Sequence, residues 1–289
     1  MIKLEKKAYA KVNLALDVLG KREDGYHEVK MIMQNISLCD ELIFTVEKSD
    51  KLNISLTSNK DNIPLDENNL VHKAVASMCE RYDIHEDICV HIEKNIPVEA
   101  GMAGGSTDCA TAIHAMNELF SLKLSLEEMM KIGVKLGADV PYCIMAHTAL
   151  SEGIGEKLAP VTPLRDCFVL VAKPKVSVST GMVYKSLRCD ELKSHPDVDG
   201  MIEALAKNDL EGVSSRLENV LETVTIGLYP IIEKIKDIMK ERGALNAVMS
   251  GSGPTVFGIY RDREQAESAR SYIIERNISN EVYVTEPVS

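Results

Sequence analysis

The most informative segment of this chain reads Pro97-Val98-Glu99-Ala100-Gly101-Met102-Ala103-Gly104-Gly105-Ser106-Thr107. Its three glycines and two alanines leave the backbone nearly bare, and Ser106 and Thr107 then open a predicted helix. Bare backbone N–H groups at the positive end of a helix dipole form a site for an anion. The segment therefore predicts a phosphate-binding loop, although a tight turn between a strand and a helix would use the same residue types.

Two common nucleotide-binding loops do not fit this segment. A Walker A loop carries a lysine directly before its Ser or Thr, and Gly105 occupies that position here. The strand–turn–helix spacing of the Rossmann motif G-x-G-x-x-G is also absent. If the loop holds a nucleotide, the positive charge for the transferred phosphoryl group must come from elsewhere in the chain.

The sequence before this loop is rich in predicted strands. Apolar residues alternate from Ala8 to Val18, so Lys11 and Asn13 fall on the opposite face of one strand. A helix is predicted over about residues 68–82. Lys11 is a candidate source of positive charge, although a lysine at such a position alone is usually just solvated.

Two segments after the loop could also carry chemistry. Asp139 lies in Gly137-Ala138-Asp139-Val140-Pro141, where its carboxylate could accept a proton from a substrate hydroxyl. An Asp in a turn can equally bond its own backbone. The glycine-rich turn Ser250-Gly251-Ser252-Gly253-Pro254-Thr255 lies between two predicted strands, and by itself it would indicate only a hairpin.

The order of the predicted elements indicates an α+β protein rather than a chain of alternating βαβ units. A length of 289 residues suggests two domains. We place the boundary near residue 160, which gives an N-terminal domain over residues 1–160 with the phosphate-binding loop and a C-terminal domain over residues 161–289.

The charge balance restricts the partners. Lysine and arginine number 33 against 44 acidic residues, a net charge of −11, which argues against binding to nucleic acid but not against a small anionic substrate. The seven cysteines contain no C-x-x-C pair, and the seven histidines show no ligand spacing, so we predict reduced thiols and no protein metal site. The N-terminus does not resemble a signal peptide and no apolar run would span a bilayer, so we predict a cytoplasmic protein with no membrane partner.

Three segments together resemble the superfamily of galactokinase, homoserine kinase, mevalonate kinase and phosphomevalonate kinase. Ala8-Tyr9-Ala10-Lys11-Val12-Asn13-Leu14 is similar to its first motif, residues 97–107 to its phosphate-binding second motif, and residues 250–258 to its third. The order of the motifs makes the resemblance specific where each motif alone is weak. The chain departs from the superfamily at Met102-Ala103, where Leu-Gly is more frequent, and at Thr107-Asp108, where Ser-Asn or Ser-Asp is usual.

Other segments resemble one branch of this superfamily, the ATP-dependent kinases of the non-mevalonate isoprenoid pathway that act on 4-diphosphocytidyl-2-C-methyl-D-erythritol. These segments are residues 20–27, 137–141 and 152–156. The resemblance implies transfer of phosphate from ATP to the C2 hydroxyl of that acceptor, which gives the 2-phosphate and ADP. It also implies a two-domain α+β fold with an N-terminal part like domain 2 of ribosomal protein S5 and a ferredoxin-like C-terminal part.

The resemblance also implies roles for individual residues. Asp139 would be the general base, and Lys11 would stabilise the Asp139 carboxylate and offset charge at the reacting centre. Mg²⁺ is expected with ATP, with the hydroxyl of Ser106 near it and no carboxylate ligand that the sequence identifies. The residues expected to bind ATP are Pro97, Gly101, Met102, Ala103, Gly104, Gly105, Ser106, Thr107 and, near the adenine, Asn69.

The acceptor would use a separate set of residues. Tyr26 and Tyr184 would sandwich the cytosine, and His27 would read its polar edge. Asn13 and Thr180 would touch the acceptor's hydroxyls or diphosphate, and Gly251 and Ser252 are also expected to bind the acceptor. The predicted partner is thus a small molecule, and the protein would act as a monomer or a homodimer.

Three other interpretations stay open from the sequence. Another kinase of the superfamily, acting on homoserine or mevalonate, would have no evident use for Tyr26, His27 and Tyr184. A catalytically silent nucleotide-binding protein would be favoured by the loss of Lys11 or Asp139, and both are present. A purely structural protein would require the three glycine-rich turns to be coincidental.

Overall fold

A computed structural model describes residues 1–288 of the chain. The strands are β1 (Ile2–Lys21), β2 (His27–Glu47), β3 (Asn53–Ser58), β4 (Asp87–Glu93), β5 (Ala149–Gly153), β6 (Lys157–Pro160), β7 (Phe168–Lys173), β8 (Glu218–Asn219), β9 (Asn246–Met249), β10 (Val256–Tyr260), β11 (Glu281–Thr285) and β12 (Pro287–Val288). The α-helices are α1 (Leu70–Tyr82), α2 (Gly104–Leu119), α3 (Leu126–Gly133), α4 (Val140–Met145), α5 (Thr180–Ser186), α6 (Val198–Ala206), α7 (Leu210–Ser215), α8 (Glu222–Leu228), α9 (Ile231–Glu241) and α10 (Arg263–Glu275).

Local sequence signals account for several of these boundaries. The alternating pattern of residues 8–18 lies within β1, which extends further at both ends. Helix α1 begins after Asn69, whose side-chain oxygen accepts a hydrogen bond from the Val71 N–H. Helix α3 begins at a capping box formed by Ser125 and Glu128, because each side chain bonds the other residue's backbone N–H.

The chain divides into two compact units, and each consists of several separate stretches of sequence. The first unit comprises Met1–Ala10, Cys39–Val98 and Ala103–Ala146. The second comprises Lys11–Leu38, Glu99–Met102 and the chain from His147 onward. The domain boundary near residue 160 stays a prediction.

The first unit combines three neighbouring strands with four helices. Strand β3 pairs in parallel with β4, and β4 pairs antiparallel with the end of β2, where Leu42 lies opposite Ile92. Helices α1 and α2 pack together, and α4 contacts both α2 and α3. Alternate residues of β4 are fully buried, so one face of these strands belongs to the core.

The second unit contains strand pairs around β1 and β2 and a separate antiparallel sheet. Strand β5 pairs antiparallel with the start of β2, and β8 pairs in parallel with β1. The separate sheet has the order β11-β7-β10-β9. Along the chain, its strands and the helices α9 and α10 follow the sequence β7-α9-β9-β10-α10-β11, which is the ferredoxin-like βαββαβ arrangement.

The α+β fold predicted from the sequence is confirmed by this mixture of helices with parallel and antiparallel strands. Helices long and apolar enough to cross a membrane are absent from the described part of the chain.

Candidate functional site

Strand β1 carries a buried polar pair in the second unit. Lys11 and Asn13 are two residues apart and share one face of the strand, and both are almost fully buried. The Lys11 ammonium donates to the Asn13 side-chain oxygen at 2.6 Å. A lone lysine in a strand is usually solvated, but here both faces of β1 are covered from Ala10 to Val18. A buried lysine is uncommon, and its charge must be held by polar partners.

The glycine-rich turn between β9 and β10 meets this pair. The Gly251 N–H donates to the Asn13 side-chain oxygen at 3.0 Å, so this oxygen serves both Gly251 and Lys11. The turn also bonds residues 97–107, which are predicted to bind phosphate and are called the phosphate-binding segment below. The Ser250 hydroxyl donates to the Gly101 carbonyl oxygen at 3.0 Å. The Lys11 N–H donates to the Met102 carbonyl oxygen at 3.2 Å. Three separate sequence segments therefore meet in the second unit.

The rest of the phosphate-binding segment opens helix α2 in the first unit. Ala103 precedes the helix in the left-handed conformation, with φ of 57°, and no side chain among residues 1–288 caps this end. The first N–H groups of a helix have no partner within the helix, so this terminus is available to an anion. Gly105 is exposed, and Gly104 and Ser106 are half-buried.

A buried ion cluster lies beneath this helix start. The Lys94 ammonium bonds the Asp40 carboxylate, and it also bonds the Asp108 carboxylate at 2.6 Å. A Cβ built on Gly104 would lie 3.1 Å from the Lys94 nitrogen, so the cluster directly underlies the phosphate-binding segment. We call Asp40, Lys94 and Asp108 the ion triad.

The ion triad holds one more negative than positive formal charge in a buried place. Burial raises the pKa of Asp108 from its ordinary 3.8 to about 8. Burial acts to lower the pKa of Lys94, but the attraction of Asp108 and Asp40 outweighs it, so this pKa is raised. The other Asp108 oxygen, Oδ1, has no hydrogen-bond partner within residues 1–288. The triad thus favours a charged lysine, and burial makes Asp108 a weaker acid than a free aspartic acid.

Asp139 stands at the start of the short helix α4 in the first unit. It is the N-cap residue and is half-buried, yet its carboxylate accepts no capping hydrogen bond from the described backbone. Pro141 in the first turn favours helix initiation without needing an N–H donor. The Asp139 carboxylate is therefore not used to cap its own helix.

The residues predicted to bind the nucleobase lie in the second unit. The rings of His27 and Tyr184 are in contact, with centroids 5.2 Å apart and a 45° tilt, while Tyr26 is 59 % exposed. Burial, and to a smaller extent the positive charge of Lys21, lowers the pKa of His27 below its ordinary 6.5, so its ring is neutral near pH 7.

Two further predicted residues make defined contacts. Thr180 is exposed at the start of α5, and its hydroxyl lies 2.7 Å from the Ser252 hydroxyl in the turn between β9 and β10. The Asn69 side chain is engaged in capping α1, and its amide also donates to the Pro64 carbonyl oxygen at 2.7 Å.

Comparison with known proteins identifies the family of this chain. A model described as "GHMP kinases N terminal domain" matches residues 69–147, and one described as "GHMP kinases C terminal" matches residues 201–279. The chain is similar to a 4-diphosphocytidyl-2-C-methyl-D-erythritol kinase of Lachnospira eligens, with 50 % identity over 280 residues, 97 % of this chain and 96 % of that one. An enzyme of the same name from Clostridium perfringens is 44 % identical, over 99 % of each chain.

The chain belongs to the 4-diphosphocytidyl-2-C-methyl-D-erythritol kinase family. A crystal structure of a 4-(cytidine 5'-diphospho)-2C-methyl-D-erythritol kinase matches with a TM-score of 0.83 and 29 % identity, over 99 % of this chain and 100 % of that one. A homoserine kinase from Cytophaga hutchinsonii matches with a TM-score of 0.78 at 18 % identity, over 98 % of this chain and 95 % of that one, which shows the shared fold alone. The predicted family, fold class and small-molecule kinase activity that uses ATP are confirmed.

Beside the predicted residues, the structure also shows buried polar residues that the sequence interpretation missed. Lys94 and Asp40 of the ion triad were not singled out, because no motif spacing relates residues so far apart in the chain. Asn219, which binds the turn between β9 and β10, was also missed. A buried asparagine in a two-residue strand gives no local sequence signal. The roles assigned to the predicted site residues stay predictions.

Proposed function

We propose that this protein transfers the γ-phosphoryl group of ATP to the C2 hydroxyl of 4-diphosphocytidyl-2-C-methyl-D-erythritol. The products are the 2-phosphate and ADP, and the step belongs to non-mevalonate synthesis of isoprenoid precursors. The observation that carries the proposal is the cluster of Lys11, Asn13 and Gly251, because it joins segments that resemble the first and third kinase motifs. Relatives that carry this enzyme's name over nearly the whole chain support the choice of acceptor.

ATP would bind through its phosphates to the segment from Pro97 to Thr107. The N–H groups at the open start of α2 suit phosphate oxygens, and Met102 and Ala103 shape the loop before them. Because phosphoryl transfer needs mainly positioning and stabilisation of charge, few catalytic groups are required. Asn69, which caps α1, would lie near the adenine.

Two residues would act directly on the reaction. Asp139 would accept the proton of the acceptor's hydroxyl, and its carboxylate is not committed to a helix cap. Lys11 would offset the negative charge that develops during transfer, and Asn13 holds its ammonium group in a defined position.

The cytidine end of the acceptor would bind at Tyr26, His27 and Tyr184. Aromatic stacking favours any nucleobase, so hydrogen bonds to the base must provide the discrimination. A neutral His27 ring has one donor and one acceptor nitrogen, which suits the polar edge of cytosine. Thr180 and Ser252, whose hydroxyls are in contact, would bind the acceptor's diphosphate or hydroxyls.

Mg²⁺ would accompany ATP. Mg²⁺ takes oxygen ligands and usually keeps several waters and substrate phosphates, so the protein needs to supply few ligands of its own. Ser106, at the start of α2, would supply a hydroxyl near it. When bound, Mg²⁺ neutralises charge on the phosphate oxygens.

A coupled assay of ADP release tests the proposed reaction. Purified protein, ATP and Mg²⁺ are incubated with the cytidyl acceptor, with homoserine or with mevalonate. We expect rapid ADP release with the cytidyl acceptor alone. Turnover of homoserine or mevalonate in its place would contradict the acceptor assignment, and ADP release from none of the three would favour a silent nucleotide-binding protein.

We also propose that the protein acts in the cytoplasm on this small molecule, without nucleic acid or membrane, as a monomer or homodimer. The net charge of −11 supports the exclusion of nucleic acid. Light scattering after size exclusion measures the oligomeric state, and a larger assembly would contradict this part of the proposal.

A further inference from the structure

A buried asparagine holds the turn between β9 and β10 from the side of β8. Asn219 lies on β8, opposite Leu16 of β1, and is 2 % exposed. Its amide group donates to the carbonyl oxygens of Met249 and Gly251, each at 2.8 Å. Both amide donors are thereby used, and its oxygen accepts from the Leu221 N–H at 3.0 Å.

Two more side chains, three and six residues after Asn219, also contact the turn between β9 and β10. A Glu222 carboxylate oxygen accepts from the Met249 N–H at 2.8 Å, and the other accepts from the Lys236 ammonium at 2.8 Å. The Thr225 hydroxyl lies 3.3 Å from the Ser252 carbonyl oxygen and 3.1 Å from the Leu221 carbonyl oxygen, and its single hydrogen serves these two acceptors. We call Asn219, Glu222 and Thr225 the turn clamp, since together they contact four backbone groups of residues 249–252.

Asn219 of the turn clamp and Asn13 beside Lys11 both form hydrogen bonds with the backbone of Gly251. The Gly251 carbonyl accepts from Asn219, while the Gly251 N–H donates to the Asn13 side-chain oxygen. That oxygen also accepts from the Lys11 ammonium at 2.6 Å. A shift of Gly251 would therefore remove one of the two donors to this oxygen. The Asn13 side chain, which also donates to the Met31 sulfur at 3.3 Å, would then be less firmly fixed beside Lys11.

We propose that Asn219 is a positioning residue that acts on the reaction through Gly251, Asn13 and Lys11. The inference rests on the proposed function, because the catalytic role of Lys11 belongs to it. Asparagine suits the task because one planar amide supplies two donors to two carbonyls and keeps an oxygen for a third bond. A carboxylate would face the same two carbonyls with acceptors only, and the buried carbonyl oxygens would lose their donors.

The test compares Asn219→Asp with Asn246→Asp, a matched control in the same unit. Asn246 also donates from its side chain to a backbone carbonyl, that of Ser214 at 2.9 Å, at the other end of β9. We expect Asn219→Asp to lower kcat about tenfold or more while both KM values change less than about twofold. Asn246→Asp should keep kcat. An unchanged kcat in folded Asn219→Asp would overturn the proposal.

A double-mutant cycle identifies the route of the effect. If Asn219 acts through Lys11, Asn219→Asp should cause little further loss of kcat in a protein that already carries Lys11→Ala. The low residual kcat of these variants is measured by incubating enzyme and substrates for a long time. An equal loss in both backgrounds would overturn the proposal. If Asn219→Asp does not fold, Asn219→Ala removes the same two amide donors without adding a charge and should lower kcat in the same pattern. An unchanged kcat in folded Asn219→Ala would also overturn the proposal.

Hydrogen exchange separates failure of this inference from failure of the proposed function. The Gly251 N–H should exchange faster in Asn219→Asp than in the wild type, because its turn is held less firmly, and no substrate is needed to observe it. Equal exchange rates would overturn the clamp itself. A wild type without kinase activity but with the expected exchange result would contradict only the proposed function.

Discussion

Gly101 and Gly251 lie so close together that a Cβ built on Gly251 would be 2.9 Å from the Gly101 carbonyl oxygen. Both residues have positive φ, +69° at Gly101 and +57° at Gly251. Only glycine meets both requirements, a left-handed backbone and an approach of one main chain to another. The backbones of the second and third motif segments are thus in close contact at Gly101 and Gly251. This contact explains why both segments carry glycine there.

Gly251→Ala should destabilise the protein by about 2 kcal/mol or more, because it combines left-handed strain with a clash. Gly20→Ala is the control, since a Cβ there would meet no described atom within 4 Å and its φ is not positive. Urea unfolding of both variants measures the difference. Equal unfolding midpoints would contradict the close approach of the two segments.

Gly105→Ala should weaken ATP binding without weakening the fold. A Cβ at Gly105 would meet only Leu70, at 3.8 Å, which is ordinary contact, and alanine favours a helix by about 1 kcal/mol over glycine. Because Gly105 is exposed in the phosphate-binding segment, the added methyl group would instead lie where the ATP phosphates are proposed to bind. We expect a higher KM for ATP and an equal or higher Tm.

Gly227→Ala in helix α8 is the matched control for that change, because a Cβ there also meets open space among the described atoms. It should raise Tm similarly and leave the KM for ATP unchanged. If Gly105→Ala also left the KM unchanged, the segment would not be the phosphate site.

Asp108→Asn should flatten the dependence of stability on pH. Since burial raises the pKa of Asp108 from 3.8 to about 8, its stabilising contribution is complete below about pH 4 and is lost as pH rises through about 8. An asparagine resembles the protonated acid and does not titrate. The free energy of unfolding should therefore fall less from acid to mildly alkaline pH in the variant than in the wild type.

Urea unfolding across this pH range provides the measurement. Asp237→Asn serves as the control, because Asp237 is exposed and its ion pair with Lys240 lies at the surface. Parallel pH profiles for wild type and Asp108→Asn would contradict the raised pKa of Asp108 in the ion triad.

Asp139→Asn should lower kcat by about 10²–10⁴-fold, the usual effect of losing a general base. The KM for ATP and the Tm should change little, because the carboxylate caps no described helix. Steady-state kinetics and thermal unfolding, with Asp237→Asn as a surface control, give the comparison. Near-normal kcat would eliminate Asp139 as the base.

Tyr26→Ala should raise the KM for the cytidyl acceptor about tenfold, the expected cost of one lost stacking partner. Tyr26 is 59 % exposed, so its removal should leave Tm and the KM for ATP unchanged. An unchanged KM for the acceptor would remove Tyr26 from the nucleobase site.

The sequence could predict the elements whose pattern is local. The alternation around Lys11 indicated β1, and the bare glycine-rich segment indicated a turn that opens α2, because strand pairing and helix initiation leave short-range signals. The βαββαβ part could be expected only from the resemblance to a known family. The order in which strands pair depends on contacts between distant segments, and the sequence of a single strand does not specify it.

The surroundings of those elements could not be predicted from local pattern. The local pattern around Lys11 is equally typical of a solvated lysine, and its burial could not be predicted, because β1 is covered on both faces by segments distant in sequence. The ion triad joins Lys94 to a partner 54 residues before it and another 14 residues after it, and a lysine at that position otherwise resembles a surface residue. The role proposed for Asn219 likewise depends on its hydrogen bond to Met249, which lies 30 residues further along the chain.

The position of the transferred phosphate tests the central claim most directly. The product formed from ATP and the cytidyl acceptor is examined by ³¹P NMR with and without proton decoupling. Because C2 of the methylerythritol bears no hydrogen, we predict a new phosphomonoester resonance without three-bond coupling to a proton. A doublet or triplet from a phosphate on a neighbouring carbon, or no new phosphomonoester at all, would contradict the proposed reaction.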